Sequence, residues 1–310
     1  MEAEDLTVGV HASVDQVFPP SELRDRLTGD GADVRLVEGD LAACDGLVTM
    51  AYDESFLGAD LRWIHSIQAG VDRFPFDELE ARGITLTNST GIHGDAIGET
   101  VVGYALQFAR RLHVYRDQQH RTEWAWPDWD APFTLPGTEL CVVGLGTLGQ
   151  GIARRADAFG MDVVGVKRTP VPVEHVREVY TTDRLREAVG DARFVAVAVP
   201  LTEETGGMIG AEELAAMRED AYLLNVSRGG VVDEDALLDA LQAGDLGGAA
   251  LDVFETEPLP EESPFWEREN VIVTPHAAGA TVNYVDRVAD LVRENVRRVA
   301  AGEEYVNRVV

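Results

Sequence analysis

Through the second half of the chain, apolar residues fall in short, nearly unbroken runs at 140–144, 162–166, 194–199, 222–226, 249–253 and 271–274. Runs this short, rich in β-branched residues and without alternation, predict strands buried on both faces. Between them the apolar residues recur at helical spacing over 148–159, 183–189, 211–217 and 234–242. Asp233 is placed to cap the start of the last helix and Gly244 to stop it. Such alternation predicts a parallel, doubly wound sheet. The first hundred residues repeat it more weakly, with strands expected at 6–10, 34–37, 46–50, 63–67 and 85–87 and helices at 21–26 and 77–81. Two long helical stretches, 95–113 and 281–301, flank the central unit. The second returns the chain towards its beginning. The expected architecture is therefore α/β with two domains, 1–101 plus 284–310 and 102–283, hinged where the long helices cross. The stretch 123–136, with Trp124, Trp126 and Trp129, fits neither period and reads as a loop. Whether its tryptophans are core or an oligomer contact stays open. Neither internal repeats nor low-complexity tracts interrupt the pattern.

Charge changes the picture most. Among 310 residues, 55 are acidic and 26 basic, a formal net charge of −29 and a pI near 4.4. Such a surface repels nucleic acid and anionic lipid, so neither is an expected partner. Lys167 is the only lysine; every other basic residue is arginine. Repulsion of this size suits a medium of about 1 M salt, where charges are screened over roughly 3 Å. The acidic start lacks a basic-then-apolar leader, and no apolar stretch approaches the roughly 18 residues of a membrane span. Cys44 and Cys141 stand apart in strand-like segments and read as core residues, not as a disulfide or metal pair. A soluble, cytoplasmic protein with no metal site is expected.

Gly144-Leu-Gly146-Thr-Leu-Gly149 follows an apolar strand and opens a helix. There Gly144 makes the tight turn, Gly146 lets a pyrophosphate approach the backbone and Gly149 lets the helix pack on the strand. The pyrophosphate would rest on the amides of Thr147 and Leu148 at the positive end of the helix. In NAD-binding units the next strand usually ends in Asp or Glu, which holds the ribose 2′-hydroxyl. Here it ends Gly165-Val-Lys167-Arg168-Thr169. Two cations and a hydroxyl suit a 2′-phosphate, so NADP is the expected cofactor. Just past three later strands stand Arg228, Glu257 and His276. Arginine offers a fork for a carboxylate and a carbonyl oxygen, histidine a proton near neutral pH, and glutamate a partner that holds the ring. Such a set suits reduction of a keto acid, although from spacing alone each residue could equally belong to a surface ion pair.

The Gly144–Gly149 turn, Asn225-Val-Ser-Arg-Gly-Gly-Val-Val-Asp233, Asp252-Val-Phe-Glu-Thr-Glu257-Pro-Leu-Pro260 and Thr274-Pro-His276-Ala-Ala-Gly279 resemble the signatures of the D-isomer-specific 2-hydroxyacid dehydrogenases. Gln68-Ala-Gly-Val-Asp72 and Gly94-Asp-Ala-Ile-Gly-Glu99 resemble that family's substrate loop and hinge helix. The resemblance implies a flavodoxin-like substrate domain and a Rossmann-like dinucleotide domain with a cleft between them, usually in a homodimer. It implies that Arg228 anchors the substrate, Glu257 partners the histidine and His276 is the acid/base. It further implies that Asp252 holds the nicotinamide carboxamide and that the backbone at Ala69 and Gly70 takes the substrate carboxylate. Val199, Pro200, Val226 and Ser227, at neighbouring strand ends, complete the expected cofactor contacts.

Departures are few. Lys167 replaces the family's usual acidic residue, Ala278 stands where many members have glycine, and Gly98 where many have alanine. Glu257 stands where the formate dehydrogenase branch carries glutamine, which speaks against formate. The chain ends soon after the return helix, so no appended regulatory domain is expected. The expected reaction is NADPH-dependent reduction of a small 2-keto acid such as glyoxylate, hydroxypyruvate, pyruvate or a branched relative. Two alternatives stay open: a nucleotide-sensing regulator of corepressor type, and a phosphoglycerate dehydrogenase-type enzyme.

Overall fold

A computed structural model describes residues 6–29 and 31–310; the acidic start read above as leaderless lies largely outside them. The chain folds into two compact units, one of residues 1–92 with 280–310, the other of residues 93–279. The first division falls ahead of the long helix, not inside it at 101/102, and the return falls at 279/280 instead of 283/284. The cause is that Gly94–Ala109 forms one unbroken helix, α3, that packs within the second unit. It lies so close to Thr147–Ala158, α5, that a Cβ on Gly98 would stand 2.4 Å from the Gly151 carbonyl oxygen. A glycine at position 98 is thus what this contact requires.

The first unit is a five-stranded parallel sheet, β1 (Leu6–His11), β2 (Ala32–Val37), β3 (Gly46–Thr49), β4 (Trp63–Ser66) and β5 (Thr85–Asn88), in the order β2-β1-β3-β4-β5. That is the flavodoxin-like order. Its helices are α1 (Pro20–Leu27), α2 (Phe76–Ala81) and the return helix α9 (Tyr284–Ala301). One face of α9, including Val285, Val288, Val292 and Val296, joins Val8, Val10, Leu23 and Trp63 in a single core. Within this core His65 is fully buried, its ring bonded to Thr87 Oγ1 at 2.8 Å and Ser89 Oγ at 3.1 Å. Burial drives its pKa down to about 3, so it stays neutral.

The second unit holds seven parallel strands: β6 (Glu139–Val143), β7 (Asp162–Val166), β8 (Glu178–Tyr180), β9 (Phe194–Val197), β10 (Tyr222–Asn225), β11 (Gly248–Leu251) and β12 (Val271–Val273). Their order is β12-β11-β10-β9-β6-β7-β8. The direction of winding reverses between β6 and β9, which makes the carboxyl end of β6 a topological switch point. Besides α3 and α5 the helices are α4 (Leu112–His120), α6 (Leu185–Gly190), α7 (Ala211–Ala216) and α8 (Glu234–Ala243). Asp233 caps α8 by accepting the Ala236 N–H at 3.0 Å, and Gly244 ends it at φ 80°. The helix expected over 95–113 breaks: Arg111 takes a left-handed φ of 57°, and α4 follows with no buried residue. Cys44 and Cys141 are buried and unpaired. Among the described residues no helix is long and apolar enough to cross a membrane.

Candidate functional site

The β6–α5 turn carries the glycines at the switch point. Gly144 sits at φ 100°, and a Cβ there would stand 2.6 Å from the Ala198 carbonyl oxygen and 2.7 Å from Val199. On Gly149 it would stand 1.8 Å from the Gly144 carbonyl oxygen, whereas Gly146 faces open space. Turn, helix packing and open approach thus divide among the three glycines. Thr147 and Leu148 open α5, where backbone N–H groups have no partner in the helix itself, so the end attracts an anion. These features fit a dinucleotide's pyrophosphate. Val199 and Pro200 continue β9, and Val226 and Ser227 continue β10, along the same edge.

One strand over, β7 delivers Lys167, half-buried, and the exposed Arg168 and Thr169. The Lys167 N–H donates to the Tyr180 carbonyl oxygen at 3.0 Å, so β8, the strand missing from the sequence reading, holds the base of this tip. Among the described residues no carboxylate lies within ion-pair distance of Lys167. Arg168 has one loose partner, Glu204 at 3.7 Å, with both side chains largely in solvent. A pair so exposed is worth little and leaves the guanidinium available.

On the other half of the edge, β10, β11 and β12 deliver the three ionisable residues. Arg228 follows β10 in a loop stitched by Asn225, whose Oδ1 accepts the Ser227 N–H at 3.1 Å and hydroxyl at 2.9 Å. The Asn225 amide donates to the Arg228 carbonyl oxygen at 3.1 Å, and the guanidinium donates to Ser227 O at 2.7 Å. A Cβ on Gly229 would stand 1.9 Å from Phe254, so this loop is pressed on the one that carries Glu257. Glu257 Oε1 accepts the Phe254 N–H at 3.0 Å, and its Oε2 accepts from His276 Nδ1 at 2.8 Å. A carboxylate only accepts, so the proton on that ring edge sits on Nδ1. Both side chains are partly exposed. Glu234 supports the same loop by accepting the Glu255 N–H at 2.7 Å, and burial pushes its own carboxyl pKa up.

Asp252, at the end of β11, is 2% exposed. Its Oδ1 accepts the Thr274 hydroxyl at 2.6 Å and the Ala277 N–H at 2.8 Å, and its Oδ2 accepts the Ala278 N–H at 2.9 Å. Of about four acceptor positions on a carboxylate, three are taken by the loop that bears His276. Sequence reasoning singled out Asp252 but passed over Thr274, and over Tyr104 and Thr100 on α3, which also bond to this loop. The available signal was two hydroxyl side chains four residues apart on one helix.

Ala69 and Gly70 belong to the first unit, in the loop after β4. Asn88 Nδ2 donates to the Ala69 carbonyl oxygen at 2.7 Å, and the Ser89 N–H donates to the Gln68 carbonyl oxygen at 3.1 Å. Carbonyls are thereby engaged, while among the described residues the Ala69 and Gly70 N–H groups donate to no protein acceptor.

Residues 102–278 match the D-isomer specific 2-hydroxyacid dehydrogenase, NAD binding domain. A glyoxylate reductase of Korarchaeum cryptofilum is 38% identical over 278 residues, covering 86% of this chain and 82% of its own. The crystal structure of a D-isomer specific 2-hydroxyacid dehydrogenase from Xanthobacter autotrophicus in complex with NADPH and MES is 32% identical, with a TM-score of 0.82 over 99% of this chain and 98% of that one. An NADPH-dependent glyoxylate/hydroxypyruvate reductase from Sinorhizobium meliloti, solved with NADP and sulfate, is 29% identical, with a TM-score of 0.82 over 98% of each chain. Motifs, sheet orders and these likenesses agree, and the chain belongs to the D-isomer specific 2-hydroxyacid dehydrogenase family.

Proposed function

We propose that this protein reduces a small 2-keto acid to the D-2-hydroxy acid with NADPH, reversibly. The observation that carries the reading is the His276–Glu257 pair at 2.8 Å, set with Arg228 on the sheet edge that also bears the glycine turn. Thr147 and Leu148 would hold the pyrophosphate of a bound NADPH, which would supply the hydride for the keto carbon. Lys167, Arg168 and Thr169 receive the 2′-phosphate, and Val199, Pro200, Val226 and Ser227 line the rest of the cofactor path. Asp252 uses its remaining acceptor position for the nicotinamide carboxamide. Arg228 holds the substrate carboxylate. His276 gives the Nε2 proton to the keto oxygen, and Glu257 holds the ring through Nδ1. Arg228 and the imidazolium oppose the charge that grows on that oxygen. The similarity to glyoxylate and hydroxypyruvate reductases makes those two acids the first substrates to try. The test is turnover of NADPH and NADH against glyoxylate, hydroxypyruvate, pyruvate and branched 2-keto acids. Oxidation of neither cofactor with any of them would end the reading.

We also infer a homodimer, a cytoplasmic setting and adaptation to high salt. Trp124, Trp126 and Trp129 are 97%, 90% and 93% exposed. Just before them, residues 110–121 carry Arg110, Arg111, Arg116 and Arg121 against Asp117, in a chain of net charge −29. With Glu123, Asp128 and Asp130 beside the tryptophans, the segment as a whole is close to neutral, and an exposed aromatic patch of this kind fits burial against a second copy. Three tryptophans at roughly 200 Å² each, counted on both copies, supply about the area of a standard interface. Light scattering on a chromatography column should show a dimer that becomes a monomer when all three are changed to serine. A monomeric unaltered protein would remove this inference. The two buried, unpaired cysteines suit a reducing compartment.

A further inference from the structure

The loop 274–278 holds His276 at a left-handed φ of 51°. Residues without glycine's freedom adopt that conformation only where their surroundings impose it. The surroundings here are one residue of β11's end and one face of α3. Asp252 takes the Thr274 hydroxyl and the Ala277 and Ala278 N–H groups on its carboxylate, and the His276 N–H on its carbonyl oxygen at 2.8 Å. From α3, the Thr100 hydroxyl donates to the Ala278 carbonyl oxygen at 3.0 Å, and the buried Tyr104 hydroxyl meets Thr274 Oγ1 at 2.6 Å. Thr100 and Tyr104 stand four residues apart and so share a helix face.

The donors can be assigned. Both oxygens of Asp252 already accept backbone N–H groups, so Thr274 gives its one hydroxyl proton to Asp252 and accepts from Tyr104. Burial pushes the Tyr104 pKa up to about 12, so the phenol keeps that proton under any working condition. The chain Tyr104 → Thr274 → Asp252 is therefore one-directional and complete, and it ends on the group that clamps both flanks of His276.

We infer that Tyr104 and Thr274 are positioning residues: through Asp252 they set the loop conformation that aims His276. Neither is proposed to touch substrate or cofactor. Removing the Thr274 hydroxyl takes away one of the bonds that oppose the strained φ. The loop should then sample conformations in which the imidazole is displaced by about an ångström, enough to cost on the order of a hundredfold in rate. The kinetic part of this inference rests on the reductase reading above; the conformational part does not.

The experiment compares Thr274→Val, Thr274→Ser and Tyr104→Phe with the unaltered protein, by amide hydrogen exchange and by steady-state kinetics. In Thr274→Val the amides of residues 276–278 should lose protection by about tenfold or more, with those of β9 and β10 unchanged. The kcat should fall about 10- to 100-fold, with KM for the keto acid and Kd for NADPH within about twofold. Thr274→Ser should recover most of both losses, and Tyr104→Phe should show them in milder form, about three- to tenfold. Exchange at 276–278 unchanged in Thr274→Val and Tyr104→Phe would overturn the inference, as would a loss carried by KM alone. Should Thr274→Val lose protection throughout, Tyr104→Phe and Thr274→Ser decide the question at the same amides. Local loosening in a protein that turns over no keto acid would sink the reductase reading and leave the positioning inference standing.

Discussion

The carboxyl edge of the seven-stranded sheet is built in two different ways along its length. Past β10, β11 and β12, each of the loops carrying Arg228, Glu257 and His276 is bound to a neighbouring backbone by several hydrogen bonds, and Asp252 beneath them is 2% exposed. Past β7, Lys167 has no carboxylate partner among the described residues, and Arg168 reaches only one distant, solvated glutamate. On the function proposed above, the difference follows from what each end would have to do. Transfer of a proton and a hydride must bring particular atoms together, and an ångström of error is costly. A 2′-phosphate asks only for positive charge and donors within reach, which flexible side chains supply on arrival. One end is ordered before the ligand comes; the other is left to be ordered by it.

Changes at the two ends should accordingly fail in different ways. The largest effect belongs to the rigid end. His276→Ala should lower kcat by roughly 10²–10⁴, the span usual for a lost general acid, while NADPH affinity stays near normal. Near-normal turnover would remove His276 from the reaction. At the loose end the unaltered protein should prefer NADPH by at least about tenfold in kcat/KM, equivalent to about 1.4 kcal/mol. Lys167→Asp with Arg168→Ala should reverse that preference and leave the rate with the better cofactor largely intact, since nothing at the rigid end depends on those side chains. A native preference for NADH would make Lys167 an ordinary surface charge.

A subtler change separates the histidine from its partner. Glu257→Gln replaces the carboxylate that holds the ring through Nδ1 with a neutral amide, so the ring is held less firmly. The kcat should fall by roughly tenfold, with NADPH affinity near normal. An unchanged kcat would show that the 2.8 Å contact does not govern proton delivery. The smallest effect concerns the whole surface. With a net charge of −29 the compact state repels itself, so the Tm should rise by roughly 5 °C or more between about 0.1 and 2 M KCl. A flat or falling Tm would end the case for salt adaptation without touching the chemistry. Direct contacts at Lys167 should weaken less over that range than the long-range attraction around them, because they exclude ions.

Much of this was legible in the residue order, for a local reason. Buried parallel strands must be continuously apolar and helices must repeat every 3.6 residues, so all eleven strands expected from the pattern and most helices stand close to where it put them. The glycine turn, the Asp233 cap and the Gly244 stop were readable because each need is met within a few residues of the signal. The strand-end positions of Lys167, Arg228, Asp252 and His276 followed from the same alternation. Tertiary structure decided the rest, wherever the deciding contact joins residues far apart in sequence. The short edge strand β8 is half exposed and has no apolar run to announce it; it exists because β7 offers it a partner. The helix expected over 95–113 ends where Arg111 turns left-handed, and the unit boundary precedes α3 because Gly98 meets Gly151. Tyr104 and Thr274 are 170 positions apart, and only folding makes them neighbours of Asp252. Order along the chain could name Arg228, Glu257 and His276; the loop that bears His276 is held by hydrogen bonds that no local period encodes.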